Sequence, residues 1–252
     1  MTRSPRSPSR APRGRSIRCH TLSVTADAGV GDARFAALRA TAARYGDLVN
    51  VRRVAGTLHE ALPTGPLPGG AAIYGGGYRC SLGFTVHRGT TPYFLTAGHC
   101  GQAVSTWYAG AHRSAVLGHT VAYTYPGRDY ALVEYAGPAY LWPSTAGGGR
   151  AVTGAADPYV GEHVTSRGST SGVHSGTVTG LDATVDYGNG EVVSGLIETD
   201  VCSEPGDSGG PLYSGTTALG LTSGGDGDCA YGGATYFQPV TAALRAYGVR
   251  IG

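Results

Sequence analysis

The sequence predicts an all-β fold closed by one C-terminal helix, and three observations carry that prediction. Glycine makes up 43 of 252 residues, well above a usual share of about 7 %, which disfavours helix and supplies turns. From Ala71 onward, short apolar stretches recur between glycine-rich turns: "CSLGFTV", "PYFLTAG", "SAVLGHTVAY", "YALVEYA", "SGTVTGL", "ATVDYG", "VVSGLIET", "GPLYS" and "ALGLTS". A single helical pattern, "VTAALRAYGV", follows them near the C-terminal end. Strand-sized pieces at this spacing imply a sandwich or barrel and argue against βαβ units.

The stretch ahead of this body differs in composition and charge. Residues 1–66 hold 11 arginines against four acids, whereas residues 67–252 hold eight against 13. Residues 1–33 are rich in Arg, Ser and Pro and are expected to form a disordered basic leader. Within "ARFAALRATAARYGDLVNVRRVAGTLHEAL", Phe35, Leu38 and Ala42 fall at helical spacing and Gly46 ends the pattern. "LVNVRRVAG" then alternates like a strand. This α/β piece is too short to hold an independent core. "LPTGPLPGG" (62–70) is a Pro/Gly-rich linker that marks a domain boundary.

Composition also excludes several classes. The body has no basic stripe that would track a nucleic-acid backbone, so no nucleic-acid partner is expected. No run approaches the ~18 apolar residues of a membrane span. The opening residues "MTRSPRSPSRAPRGRSIRCH" lack the apolar segment of a signal peptide. The five cysteines (Cys19, Cys80, Cys100, Cys202 and Cys229) show no CxxC spacing, which argues against zinc and thioredoxin-like chemistry. Two pairs within the body, with Cys19 left over, fit two disulfides made in an oxidising compartment. His20, His59, His87, His112, His119, His163 and His174 show no ligand spacing, so neither metal nor cofactor is expected.

Three polar groups stand where a β-barrel usually places apolar ones. His99 ends the apolar run "FLTAGHC", Asp129 opens the run "DYALVEY", and Ser208 lies in "EPGDSGGP". Taken singly, each has a plain structural explanation: a strand-end histidine, a turn aspartate after Pro-Gly, and a tight glycine turn. A serine becomes a nucleophile only when a base removes its proton and donors stabilise the resulting oxyanion. The glycines around Ser208 let backbone N–H groups converge on one point, so "GDSGG" can supply both nucleophile and oxyanion hole.

Histidine, aspartate and serine occur in that chain order, and "TAGHC", "DYALV" and "GDSGGP" together resemble the chymotrypsin-type serine proteases. More closely, "AIYGGGYRCSLGF", "YFLTAGHC", "VCSEPGDSGGPLYSG", "GLTSGGDGDC" and "FQPVTAALRAYGV" resemble the streptogrisins, secreted bacterial members of that class. The resemblance spans nearly all of residues 67–252, which it marks as the catalytic domain. It implies two six-stranded β-barrels with the active site between them, a C-terminal helix, and disulfides Cys80–Cys100 and Cys202–Cys229. It also implies a His99–Asp129–Ser208 triad with an oxyanion hole made by the N–H groups of Gly206 and Ser208.

By the same resemblance, Val201, Ser203, Pro205, Thr222, Ser223, Gly224 and Gly225 bind substrate, and Ser223 also bonds the triad aspartate. Residues 34–66 resemble the C-terminal part of a streptogrisin propeptide, with the mature start near Leu67. The implied protein is a secreted, monomeric endopeptidase. It acts on protein or peptide substrates and is processed from its own propeptide.

Small and apolar walls favour Phe, Tyr or Leu at P1, the residue whose carbonyl is attacked. Glutamate-specific relatives use a histidine where this chain has Thr222. Asp200, two residues before Cys202, offers the alternative of a basic P1; a non-catalytic peptide-binding homologue is a further alternative. Bacterial relatives neutralise the aspartate matching Asp207 with an arginine, but direct alignment puts Ser166 there and Arg167 one place on. Adjacent strand residues face opposite sides, so Asp207 is expected to find another partner or the hairpin register to slip.

Overall fold

A computed structural model of the chain describes residues 21–56, 67–137, 144–146, 149–226 and 229–252. It divides into two compact units, Met1–Ala61 and Leu62–Gly252. In the first, β1 (Leu22–Ala26) leads through α1 (Asp32–Ala42) and a 3-10 turn, Ala43–Leu48, to β2 (Val49–Arg53). β1 and β2 pair in parallel, Leu22 opposite Val49. Disorder was the expectation for residues 1–33; residues 1–20, Cys19 among them, lie outside the described residues, but 22–26 form a strand. The reason is nonlocal: β1 finds its hydrogen-bond partner 27 residues away, across α1. The helix expected around Phe35 is present, and Gly46, at φ +55, turns the chain towards β2.

The described part of the larger unit begins at Leu67, which is buried. β3 (Ala72–Gly75), β4 (Tyr78–Ser81), β5 (Thr85–Arg88) and β6 (Thr91–Thr96) lead to a short helix, α2 (Gly98–Ala103). β7 (Thr106–Tyr108), β8 (Val116–Thr124) and β9 (Tyr130–Tyr135) follow. A small hairpin pairs β10 (Thr145–Ala146) with β11 (Arg150–Ala151). The second half contains β12 (Gly154–Ala155), β13 (His163–Gly168), β14 (Gly172–Asp186), β15 (Val192–Thr199), β16 (Pro211–Ser214), β17 (Thr217–Gly225) and β18 (Thr235–Pro239). α3 (Val240–Tyr247) and β19 (Arg250–Ile251) end the chain.

The first sheet runs β19-β5-β6-β9-β8-β7-β3-β4, eight strands where six were expected. The excess has two sources. β19 is a two-residue addition to the edge of β5, and β4 and β5 are one run broken at Leu82–Phe84. That run pairs with β3 at its start and with β6 at its end. Counted as one strand, it completes a ring of six. The break falls at Gly83, where a Cβ would sit 2.3 Å from Leu221 and 2.8 Å from the backbone of Leu95.

The second sheet runs β17-β16-β13-β14-β15-β18, and β18 pairs back onto β17, again a ring of six, with β12 added outside. "SGTVTGL" and "ATVDYG" read as separate strands. They are one, β14, whose register against β15 shifts between Val178 and Thr184. Bulges of this kind bend a long strand around a barrel corner without ending it.

Three apolar clusters hold these layers together. Ile73, Leu82, Phe94, Trp107 and Val133 fill the first ring; Val164, Ile197, Leu212, Leu219 and Phe237 fill the second. Trp107 is fully buried and donates its indole N–H to Thr120 Oγ1 at 3.0 Å. The third cluster joins Phe84 and Leu95 of the first ring to Tyr213 and Leu221 of the second, with Val240 and Ala243 of α3. Each buried side chain of this size contributes roughly 1.5–3 kcal/mol. The polar groups described next lie on this frame.

Candidate active site

His99 stands in the first turn of α2, next to Cys100, whose disulfide to Cys80 ties the helix to β4. Asp129 immediately precedes β9 and is completely buried. Gly98 lets the two meet: a Cβ there would lie 2.3 Å from the Thr124 carbonyl and 3.1 Å from the Asp129 Cα. With no side chain in the way, the His99 backbone N–H donates to Asp129 Oδ1 at 2.9 Å. His99 Nδ1 lies 2.9 Å from Asp129 Oδ2 and 3.1 Å from Oδ1. Ser223 Oγ donates to Oδ2 at 2.6 Å, and the Asp129 N–H donates to Gln238 Oε1 at 2.9 Å.

A buried carboxylate with this many donors has its desolvation compensated. The tautomer of His99 follows, because Nδ1 facing a carboxylate carries the proton. Its Nε2 has no protein partner among the described residues, and 31 % of the side chain remains exposed. Burial lowers the His99 pKa, but the charge and hydrogen bond of Asp129, together with the charge of Glu191, raise it more. The net pKa is above 6.5.

Ser208 sits in the turn between Cys202 and β16, half-buried. Gly206 adopts φ +104, a conformation that L side chains rarely enter. Each carbonyl around it is anchored: Pro205 O accepts from Thr170 Oγ1 at 2.7 Å, Gly206 O from Ser81 Oγ at 2.9 Å, and Asp207 O from the Gly210 N–H at 2.9 Å. In a trans peptide the N–H points opposite its carbonyl. Fixing the carbonyls of Pro205 and Asp207 therefore fixes the N–H groups of Gly206 and Ser208, neither of which has an acceptor among the described residues.

Asp207, 2 % exposed, has no ion pair among the described residues. Its Oδ1 accepts from the N–H of Thr170 at 2.7 Å and of Ser171 at 3.2 Å, and its Oδ2 from the N–H of Glu204 at 2.8 Å. Of the two expected outcomes, the different partner is the one found. The register of β13 against β14 is continuous, with Ser166 opposite His174 and Arg167 opposite Val173. Arg167 turns to the other side and donates to the Gly69 carbonyl at 3.4 Å. Gly168 makes the exchange possible, since a Cβ there would lie 2.0 Å from Asp207 Cγ.

The region expected to bind substrate gathers around the second disulfide, Cys202–Cys229. Val201, Thr222 and Ser223 are buried, Ser203 and Gly224 half-buried, and Pro205 and Gly225 exposed. The hydroxyls here are already engaged: Ser203 Oγ bonds Thr235 Oγ1 at 3.0 Å, and Thr222 Oγ1 donates to the Gly210 carbonyl at 3.1 Å. Asp200 is exposed, and its carboxylate accepts the Thr177 N–H at 2.5 Å across to β14.

Three residues close to His99 carried no sequence signal. Tyr187 donates its hydroxyl to Ser223 Oγ at 3.0 Å; burial pushes its pKa up to about 12. Tyr125 sets its ring edge-on to His99, centroids 5.7 Å apart. Burial raises the Tyr125 pKa, and so does the nearby charge of Glu191, which also accepts its hydrogen bond. Nothing in "VDYGNGEV" or "TYPG" marks these side chains, because the strands that bring them together are more than 60 residues apart.

Two six-stranded rings closed by a helix and held by two disulfides define the chymotrypsin-like class of serine proteases. The trypsin family matches residues 67–246, and the chain belongs to it. Streptogrisin-D of Streptomyces griseus is 50 % identical over 233 residues, covering 91 % of this chain. The chain spans only 58 % of the length of that relative. Serine protease 2 of Streptomyces fradiae is 52 % identical over 177 residues, 67 % of this chain and 100 % of its own length. Among solved structures, a glutamic-acid-specific serine protease that uses a histidine triad in substrate binding superposes with a TM-score of 0.69. It is 40 % identical and covers 74 % of this chain and 100 % of its own.

Proposed function

We propose that residues 67–252 form a secreted serine endopeptidase in which His99, Asp129 and Ser208 are the catalytic residues. The observation that carries this reading is the buried Asp129 carboxylate, bonded at once by His99 N–H, His99 Nδ1 and Ser223 Oγ. Ser208 Oγ attacks the scissile carbonyl carbon as His99 Nε2 takes its proton. The tetrahedral oxyanion accepts from the N–H groups of Gly206 and Ser208, where one lost donor costs roughly 3 kcal/mol of barrier. Collapse passes the proton from His99 to the leaving amine and leaves an acyl group on Ser208. Water then repeats the sequence and releases the acid. Residues 34–66 act as the C-terminal part of a propeptide, removed near Leu67.

Phe, Tyr or Leu is the proposed P1 residue. Because Ser203, Thr222 and Thr235 spend their hydroxyls on one another or on the backbone, the walls they form present methyl and methylene groups. Asp200 is exposed and bonded to Thr177, which argues against a basic P1. No histidine stands among Val201–Pro205 or Thr222–Gly225, which argues against an acidic one.

A fluorophosphonate probe tests the chemistry. Processed enzyme is expected to be labelled at Ser208, and Ser208→Ala to escape labelling. A folded, processed sample that stays unlabelled returns the chain to a peptide-binding role. Paired Phe and Arg p-nitroanilide peptides test the pocket, with faster Arg turnover overturning the apolar assignment.

A further inference from the structure

Among the described residues the carboxylate of Glu191 has no cationic partner. Glu191 closes the turn after β14: its N–H donates to the Gly188 carbonyl at 2.8 Å, and its own carbonyl accepts from the Tyr187 N–H at 3.1 Å. The Tyr125 segment is pinned to the same place from the other ring. Gly127 N–H donates to Val192 O at 2.8 Å, Ser194 N–H donates to Gly127 O at 3.2 Å, and Arg128 Nη1 donates to Ser194 O at 2.8 Å. Glu191 is half-buried, accepts the Tyr125 hydroxyl, and is close enough for its charge to act on His99. Among the described residues it has no ion pair, and Arg128, next along from Gly127, is occupied by a backbone carbonyl.

The two faces of β17 show which part of a substrate meets this group. A Cβ on Gly225 would lie 3.1 Å from both Ser203 Oγ and Thr235 Oγ1, the side of the P1 walls. A Cβ on Gly224 would lie 2.7 Å from the ring of Tyr187, the opposite side. An extended peptide added along this edge sends successive side chains to opposite sides. With P1 directed to Ser203 and Thr235, the residue before it, P2, is directed to Tyr187, His99 and Tyr125.

We propose that Tyr125, Tyr187 and Glu191 form the P2 subsite and that Glu191 makes it select a basic side chain, arginine above lysine. This rests on the protease reading of the same site. Tyrosine faces accept the aliphatic stem and the flat guanidinium of arginine, while the unpaired carboxylate attracts its charge. At the edge of a cleft such a pair is expected to change kcat/KM by about five- to tenfold at low salt, and less when screened.

The test is the rate at which active enzyme cleaves acetyl-Ala-Ala-X-Phe-p-nitroanilide with X as Arg, Ala or Glu. The expected order is Arg, then Ala, then Glu. About tenfold should separate the extremes at low ionic strength, and the gap should narrow as salt is raised. Glu191→Gln is expected to bring Arg and Glu to within about twofold of each other. Equal rates for the three peptides in the unsubstituted enzyme, a gap indifferent to salt, or a gap that survives in Glu191→Gln overturns the assignment. Cleavage of none, together with no fluorophosphonate labelling, overturns the protease reading instead.

Discussion

Among the described residues of the catalytic unit two aspartates are buried, and their surroundings are opposite in kind. Asp129, before β9 of the first ring, is held by a titratable histidine, a serine hydroxyl and one backbone N–H. Asp207, beside Ser208 in the second ring, is held by backbone N–H groups of Thr170, Ser171 and Glu204. Backbone donors cannot gain or lose a proton, whereas a histidine can, so only the surroundings of Asp129 can pass a proton on. In the mechanism proposed above, the Asp207 charge holds the turn around Gly206 and the Asp129 charge tunes the base. Substitution should separate the two roles.

The largest effect is expected from Asp129→Asn, which keeps the volume but removes the charge that selects the tautomer. Activity should fall by about 10,000-fold, with the fold retained by circular dichroism. The pH profile carries the sign. His99 must be neutral to act as base, and its folded pKa is raised. The acid limb of kcat/KM should therefore have its midpoint above 6.5 and move down in Asp129→Asn. By the same linkage, the raised pKa adds stability that is fully present below pH 6.5. That stability is lost as pH rises through the folded value.

Asp207→Ala should act on stability first. It leaves three part-buried N–H groups without their acceptor, at roughly 1 kcal/mol each. A fall of about 3 kcal/mol in unfolding free energy is expected by denaturant titration, with activity lost as the Gly206 turn relaxes. Retained stability would mean that water replaces the carboxylate.

The smallest effect is expected from Arg167→Ala. Its guanidinium makes one long bond to Gly69 O, so the loss should stay below about 1 kcal/mol. A loss equal to that of Asp207→Ala would show that the two side chains pair in solution, erasing the contrast between the aspartates.

The comparison also shows what was legible in advance. His99 and Ser208 could be nominated because Gly98, Cys100 and Gly206 stand within two residues of them as local constraints, whereas Asp129 was nominated only as the acid that opens an apolar run. The cysteine count implied two disulfides within the body, and two are found; which cysteine meets which was implied only by the resemblance. The partners of Asp207 could not be read. A backbone N–H is offered by every residue except proline, so no side chain announces it, and the search for an arginine looked for the wrong chemistry. β1 and the fused strand β14 were missed because pairing across 27 residues and bulges are properties of register, not of composition.

By itself the sequence determined an all-β body with a closing helix and two disulfides, and it nominated the groups proposed for the chemistry, because turns, apolar periodicity and cysteine count are written along the chain. Only the tertiary structure decided who meets whom: Tyr187 with Ser223, Tyr125 and Glu191 beside His99, and Asp207 with the turn after β13. Those contacts join segments far apart in the chain, and a hydrogen bond needs donor and acceptor within a window of about half an ångström and well aligned. They exist only where the closed rings fix the distance.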